Sequence, residues 1–281
     1  MLSYRHAYHV GNHADVLKHT VLVQLLNYLK LKDVPLWYVE SHAGAGLYAL
    51  NSPLAKKHSE FAQGIGRLWG RCDLPEILMA YLGAVSQQNK DERLLHYPGS
   101  PVLASFILRK KDRLRLFERH SRDVQLLWEN LQKEQKRIAI EAKDGFSGLK
   151  SVLPPPSRRA LVLIDPSYEE KKDYIHAVNA LKDSLARFAT GTYVLWYPRL
   201  NRLESHELPQ RLKRLPVSDW LHVALHVSTP GKNGFGMYGS GLFIINPPWT
   251  LHDKLKEAMP ILSDLLKQED NDGFLLEQKT G

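Results

Sequence analysis

The chain has 281 residues, 43% hydrophobic and 24% charged, enough for one large α/β domain or two small ones. Its single cysteine, Cys72, excludes an internal disulfide and points to a reducing, cytoplasmic setting. No signal-peptide core opens the chain, and no uncharged apolar run approaches the ~20 residues of a membrane span. The net charge of +8 favours a polyanionic partner, and nucleic acid is the commonest large one.

In chain order, short apolar runs at 36–40, 114–118, 138–142, 160–164, 192–197, 220–227 and 242–245 predict seven strands. The fourth, ALVLI, is apolar throughout, as in a strand buried on both faces. Helical patterns at 14–30, 122–135, 173–188 and 252–267 fit between them, which argues a mostly parallel sheet with right-handed crossovers. The last two strands are joined by STPGKNGFGMYGSG, with no helix, so they form an antiparallel hairpin. The expected fold is α/β: a Rossmann-like, seven-stranded, mostly parallel sheet with a terminal antiparallel hairpin. The stretch 48–97 is helical in pattern and too long for a simple crossover, so it reads as a helical insertion carrying Lys56, Lys57, Arg67 and Arg71. The expected division is a core of 1–47 (with an N-terminal arm) and 98–268, the insertion at 48–97, and a polar, flexible tail at 269–281.

Strand one runs into Glu40-Ser41-His42-Ala43-Gly44-Ala45-Gly46. Gly44 and Gly46 allow a tight turn and close approach to a bound nucleoside. The run also fits a dinucleotide pattern, but a nicotinamide reading needs an acid at the end of strand two, and Glu60 falls in the insertion. Glu118 does end strand two, where a carboxylate can accept both ribose hydroxyls. Asp144, after strand three, is placed to accept from an adenine amine, or simply to make an Asp-Gly turn. Ser100 before Pro101 reads as the N-cap and first residue of a helix. Either capping explains it, or that helix N-terminus receives a ligand carboxylate.

Strand four delivers Asp165-Pro166-Ser167-Tyr168 at its C-terminal end, where open α/β sheets place their chemistry. The run resembles the Asp-Pro-Pro-Tyr motif of amino-methyltransferases. An exocyclic base amine is a poor nucleophile because its lone pair is delocalised into the ring. Asp165 and the Pro166 carbonyl, both acceptors, can bind its two hydrogens, and the Tyr168 ring can stack on a flipped base. The motif alone does not distinguish adenine from guanine N2 or a side-chain amide. A second run, Asn246-Pro247-Pro248-Trp249, follows strand seven, across the sheet from the glycines, and reads as a structural turn.

The first twenty residues hold Tyr4, Arg5, His6, His9, His13 and His19. With Asp15 as their one nearby carboxylate and no cysteine, no metal is expected, and the segment reads as an arm for RNA. Tyr4, Arg5 and Lys232, the last in the glycine-rich loop 231–241, are candidate RNA contacts.

Taken together, MLSYRHAYHVGNHADVLKHT, HAGAG, YPGSP, EAKDGF, ALVLIDPSYE, RFATGTYVLWYP and INPPW closely resemble, in order and over nearly the whole chain, the ribosomal RNA large subunit methyltransferase J family. The resemblance implies a monomer that uses S-adenosylmethionine to make N6-methyladenine in 23S rRNA, at the adenine-2030 site. It implies cofactor contacts at His19, His42, Ser100, Glu118, Asp144, Gly145 and Asp165, a proton-accepting role for Asp165, and RNA contact at Tyr4. This chain departs from the family motif at Ser167, where the family has proline.

Overall fold

A computed structural model describes residues 5–90, 93–132, 136–230, 236–270 and 273–281. The core sheet holds eight strands. In chain order they are β1 (Trp37–Glu40), β4 (Arg113–Phe117), β5 (Ile138–Glu141), β6 (Ala160–Ile164), β7 (Thr192–Leu200), β8 (Trp220–His226), β9 (Met237–Ile245) and β10 (Phe274–Lys279). Their spatial order is β10-β8-β9-β7-β6-β1-β4-β5. The five from β5 to β7 are parallel, and β9, β8 and β10 are antiparallel. The parallel half and its reversed terminal hairpin match the expected Rossmann-like architecture. Every residue of β6 is buried, as its unbroken apolar run requires.

Two sequence expectations are corrected. The tail does not fray throughout: Phe274–Lys279 pairs with β8 along its whole length and adds an eighth strand. Its apolar residues Phe274, Leu275 and Leu276 cover an edge that would otherwise be open. The hairpin loop is also shorter than the glycine count suggests, because β9 begins at Met237. Gly239 and Gly241 are strand residues there for packing reasons. A Cβ at Gly239 would lie 2.2 Å from the Leu225 carbonyl oxygen, and one at Gly241 would lie 2.4 Å from the Tyr197 ring.

Helix α1 (His13–Leu29) starts at an N-cap, Asn12, whose side chain accepts from the Ala14 and Asp15 amides. The stretch between β1 and β4 carries α2 (Pro53–His58), α3 (Glu60–Gln63) and α4 (Glu76–Ser86), as its pattern predicts. Two short strands not evident in the sequence, β2 (Leu47–Ala49) and β3 (His96–Pro98), pair antiparallel and bring its two ends together. Helices α5 (Ser100–Ile107), α6 (Ser121–Leu131) and α7 (Gly145–Val152) then follow β3, β4 and β5 in turn. Helix α1 is buried from His13 to Leu26, with polar residues among them. Such a helix lies inside the molecule, between the sheet and the inserted α4. The insertion is clamped to its start: Ile65 donates to the Gly11 carbonyl at 2.8 Å, and Glu60 binds both His9 and Asn12. Among the described residues, no helix is long and apolar enough to cross a membrane.

Candidate active site

The chain leaves β1 on one side of the sheet to form β4 and β5, and returns on the other side to form β6 and β7. The carboxyl ends of β1 and β6 therefore flank the point where strand order reverses, the usual ligand crevice of such sheets. A cavity of about 980 Å³ opens there. His19, His42, Gly44, Ser100, Glu118, Asp144, Asp165, Pro166 and Ser167 all line it.

On the β1 side, the loop after Glu40 is shaped by Gly44 and Gly46, both at positive φ. Glu118 holds this loop: its carboxylate accepts from the Gly44 amide and the His120 amide, each at 2.8 Å. Burial raises the Glu118 pKa against those two hydrogen bonds. Each oxygen retains a lone pair, so the pair can still accept two ribose hydroxyls. Asp144 is the N-cap of α7 and accepts from the Ser147 amide at 2.9 Å through one oxygen. The other oxygen is available to a ligand amine. His42 shares a 2.8 Å hydrogen bond with Ser41 and meets the Phe146 ring edge-on. Burial pushes its pKa down to about 4, so it is neutral at pH 7. His19 is buried, shares a 2.8 Å bond with the Tyr97 hydroxyl, and is likewise held down, to about 3.

Three predicted residues make contacts within the chain that the sequence does not show. The N-cap of α5 is Gly99, and Ser100 instead donates from its hydroxyl to the buried carboxylate of Glu40. Gly46 does not line the cavity: its carbonyl accepts from the Gly99 amide at 2.7 Å, and a Cβ there would strike Leu127. Gly145 is also off the cavity wall, pressed against Ser41 so closely that a Cβ would lie 1.7 Å from the Ser41 carbonyl oxygen. Both glycines allow close backbone packing that shapes the site.

On the β6 side, the Ser41 hydroxyl accepts from the Asp165 amide at 3.3 Å, which ties the two strand ends together. The expectation that Tyr168 stacks on a base is corrected. Its ring is 2% exposed, packs 4.5 Å from Tyr174, and its hydroxyl donates to the Trp196 carbonyl at 2.7 Å. Tyr168 also sits at φ 54°, a left-handed conformation costly for a bulky residue, and these contacts hold it there. On this side of the cavity the wall is formed by the Trp196 ring, from β7, with Pro198, Leu200 and Met237, while Phe146 and Tyr48 line other parts of it. Asn246 follows β9, which runs antiparallel to β7, so its motif lies at the opposite end of the strands from Asp165. Its amide donates to the Ala189 and Gly191 carbonyls, a structural turn as the sequence suggests.

Sequence reasoning missed Lys18, Asp15 and Glu40. Lys18, buried in α1, donates to Asp165 Oδ2 at 2.7 Å and lies 5.5 Å from the Trp196 ring centre. Only its place beside His19 and one turn after Asp15, within a largely apolar helix, hints at this. Nothing local names Asp165 as its partner. Of the predicted RNA contacts, Arg5 is half-buried at the entry to the turn His6–Tyr8, while Tyr4 and Lys232 lie outside the described residues.

Strand order, the reversed last strands and a carboxylate motif at the end of β6 beside a nucleoside-sized crevice define a Rossmann-like methyltransferase. The family model described as Ribosomal RNA large subunit methyltransferase D, RlmJ, matches residues 33–277, and the chain belongs to that family. It is 44% identical to Ribosomal RNA large subunit methyltransferase J of Escherichia coli over 95% of this chain and 94% of that one. The Haemophilus influenzae protein of the same name is 41% identical over 99% and 98%. A crystal structure of a Legionella pneumophila protein superposes with a TM-score of 0.87 at 35% identity, covering 97% of this chain and 98% of that one.

Proposed function

We propose that this chain methylates the N6 amine of an adenine in 23S rRNA, using S-adenosylmethionine, and acts as a cytoplasmic monomer. The names of its two relatives support ribosomal RNA as the substrate class. The observation that carries the chemistry is the Asp165 carboxylate. It stands on the same cavity wall as Glu118 and Ser100, with Oδ2 engaged by Lys18 and Oδ1 without a hydrogen-bond partner among the described residues.

The residues fit the cofactor. Glu118 has one lone pair left on each oxygen for the ribose, and Asp144 has one oxygen left for the adenine amine. The N-terminus of α5 beside Gly99 suits a carboxylate, and glycine at 44 lets the loop turn on the cavity wall, where a Cβ would lie 2.6 Å from the Tyr48 hydroxyl. His19 and His42, both neutral, complete the set. Bound there, S-adenosylmethionine supplies an activated methyl group on a sulfonium. The chain's own work is to place the target amine. Asp165 and the Pro166 carbonyl accept its hydrogens and favour a pyramidal nitrogen, while the Trp196, Pro198, Leu200 and Met237 wall receives the flat base. Tyr168 braces the motif from beneath. Ser167 lines the cavity and leaves both acceptors in place, so its departure from proline is compatible with activity. Arg5, Tyr4 and Lys232 remain proposed RNA contacts.

The test is transfer of labelled methyl from S-adenosylmethionine to unmodified 23S rRNA fragments, with cofactor binding followed by calorimetry. Labelled RNA is expected from the wild type and none from Asp165→Ala. Cofactor binding without any labelling contradicts the proposal.

A further inference from the structure

Helix α1 carries a buried carboxylate to which the proposed function gives no role. Asp15 is 1% exposed. It accepts from the Gly11 amide at 2.9 Å, from His6 Nε2 at 2.8 Å and from Lys18 Nζ at 3.1 Å. Lys18 lies 2.7 Å from Asp165 on its other side. One buried ammonium is thus shared between two carboxylates, one at the reacting site and one behind it.

An ammonium has three donors but a single charge. In a water-poor interior its position depends on the balance of the anions around it. Asp15 draws Lys18 toward α1, so Lys18 engages one oxygen of Asp165. Without the Asp15 charge, the main pull opposing collapse of the ammonium onto Asp165 is lost. There it would compete for the oxygen that a substrate amine needs. We infer that Asp15 is a positioning residue for methyl transfer: it restrains Lys18 and so keeps one oxygen of Asp165 open to the substrate amine. Through its bond to His6, the same carboxylate also fixes the N-terminal arm to this node. The inference rests on the function proposed above.

The test is a double-mutant cycle on the full chain, with methylation kinetics on 23S rRNA fragments and melting temperature recorded for each protein. Asp15→Asn keeps the shape and an acceptor for Gly11 but removes the charge. It is expected to lower kcat by about tenfold or more, with KM for S-adenosylmethionine little changed and a melting temperature that falls but stays above the assay temperature. In a Lys18→Met background, where no ammonium remains to collapse, the same substitution should cost less than about twofold. Asp15→Glu, which restores the charge, should regain most of the lost rate, and this comparison serves if Lys18→Met is too slow to measure. Equal losses in both backgrounds, no rescue by Asp15→Glu, or a rate loss that merely follows lost folded protein would overturn the inference alone. Failure of the wild type to label any RNA would overturn it together with the proposed function.

Discussion

Replacing Gly145 by alanine separates a shaping role from a ligand contact. A Cβ at this position would stand 1.7 Å from the Ser41 carbonyl oxygen, 2.5 Å from its carbon and 2.7 Å from the Ser41 Cα. All three are backbone atoms, so no rotamer change relieves the clash. Reaching even the 3.0 Å at which real Cβ contacts begin requires a shift of 3.0 − 1.7 = 1.3 Å between the β1 loop and α7. Overpacking typically costs about 1–3 kcal/mol, and a backbone-on-backbone clash belongs in the upper half, about 2–3 kcal/mol. At about 2–4 °C per kcal/mol for a chain of this size, the melting temperature should fall by about 4–12 °C. The two elements forced apart carry His42 and Asp144, so affinity for S-adenosylmethionine should fall with it. Gly83→Ala is the control. Gly83 lies inside α4 with nothing within 4 Å of where an added methyl would stand, so alanine should hold or raise stability there. The measurements are calorimetric melting and cofactor titration. A Gly145→Ala protein that melts within about 1 °C of wild type, well inside the shift a 1 kcal/mol cost gives, refutes the close approach as a constraint.

Further outcomes follow from the buried titratable groups and from the base-facing wall. His13, His19, His42 and His222 are held neutral by burial, with pKa values pushed down to about 4, 3, 4 and 4. Below about pH 6.5 the unfolded chain binds protons on these rings that the folded chain does not, so stability should fall as pH drops from 6.5 toward 4. A flat urea midpoint across that window contradicts this. Glu40 acts with the opposite sign: burial raises its pKa to about 8, despite hydrogen bonds from Ser100 and Tyr38. The folded chain therefore keeps a proton there that the unfolded chain releases near 4.5, so this contribution is lost as pH rises from 4.5 to about 8, against the histidines below about 6.5 and without them above it. Glu40→Gln should flatten that limb, and an unchanged limb would assign it to another group. Tyr168→Phe removes a buried hydrogen bond and should cost about 1–2 kcal/mol of stability in urea titrations, with RNA KM nearly unchanged. Trp196→Ala should instead raise RNA KM, and the reverse ranking would return the stacking role to Tyr168.

Much of the fold and the site is legible in the sequence because it is carried by local pattern. The β6 run ALVLI and the acids or glycines that follow β1, β4, β5 and β6 are read from neighbours in the chain, and the parallel order follows from helices between strands. What escapes is set by contacts distant in sequence. Nothing near Lys18 reveals that it meets Asp165, 147 positions away, or that Ser100 turns from capping to bind Glu40. The tail reads as polar because β10 is an edge strand covering one side only. Its pairing with β8 depends on a partner some fifty residues earlier. The place of Tyr168 escapes because a motif gives residue type but not the direction of a side chain. Its positive φ, visible only in the fold, turns the ring into the core and leaves this side of the cavity wall to Trp196.

The central claim is best tested by nucleoside analysis. Unmodified 23S rRNA should be incubated with S-adenosylmethionine and either the wild-type chain or Asp165→Asn, then digested and resolved by mass spectrometry. N6-methyladenosine is expected with the wild type and none above background with Asp165→Asn, which keeps the shape of the side chain but loses the charged acceptor paired with Lys18. A methylated guanine in its place, or N6-methyladenosine formed equally by both proteins, contradicts the claim.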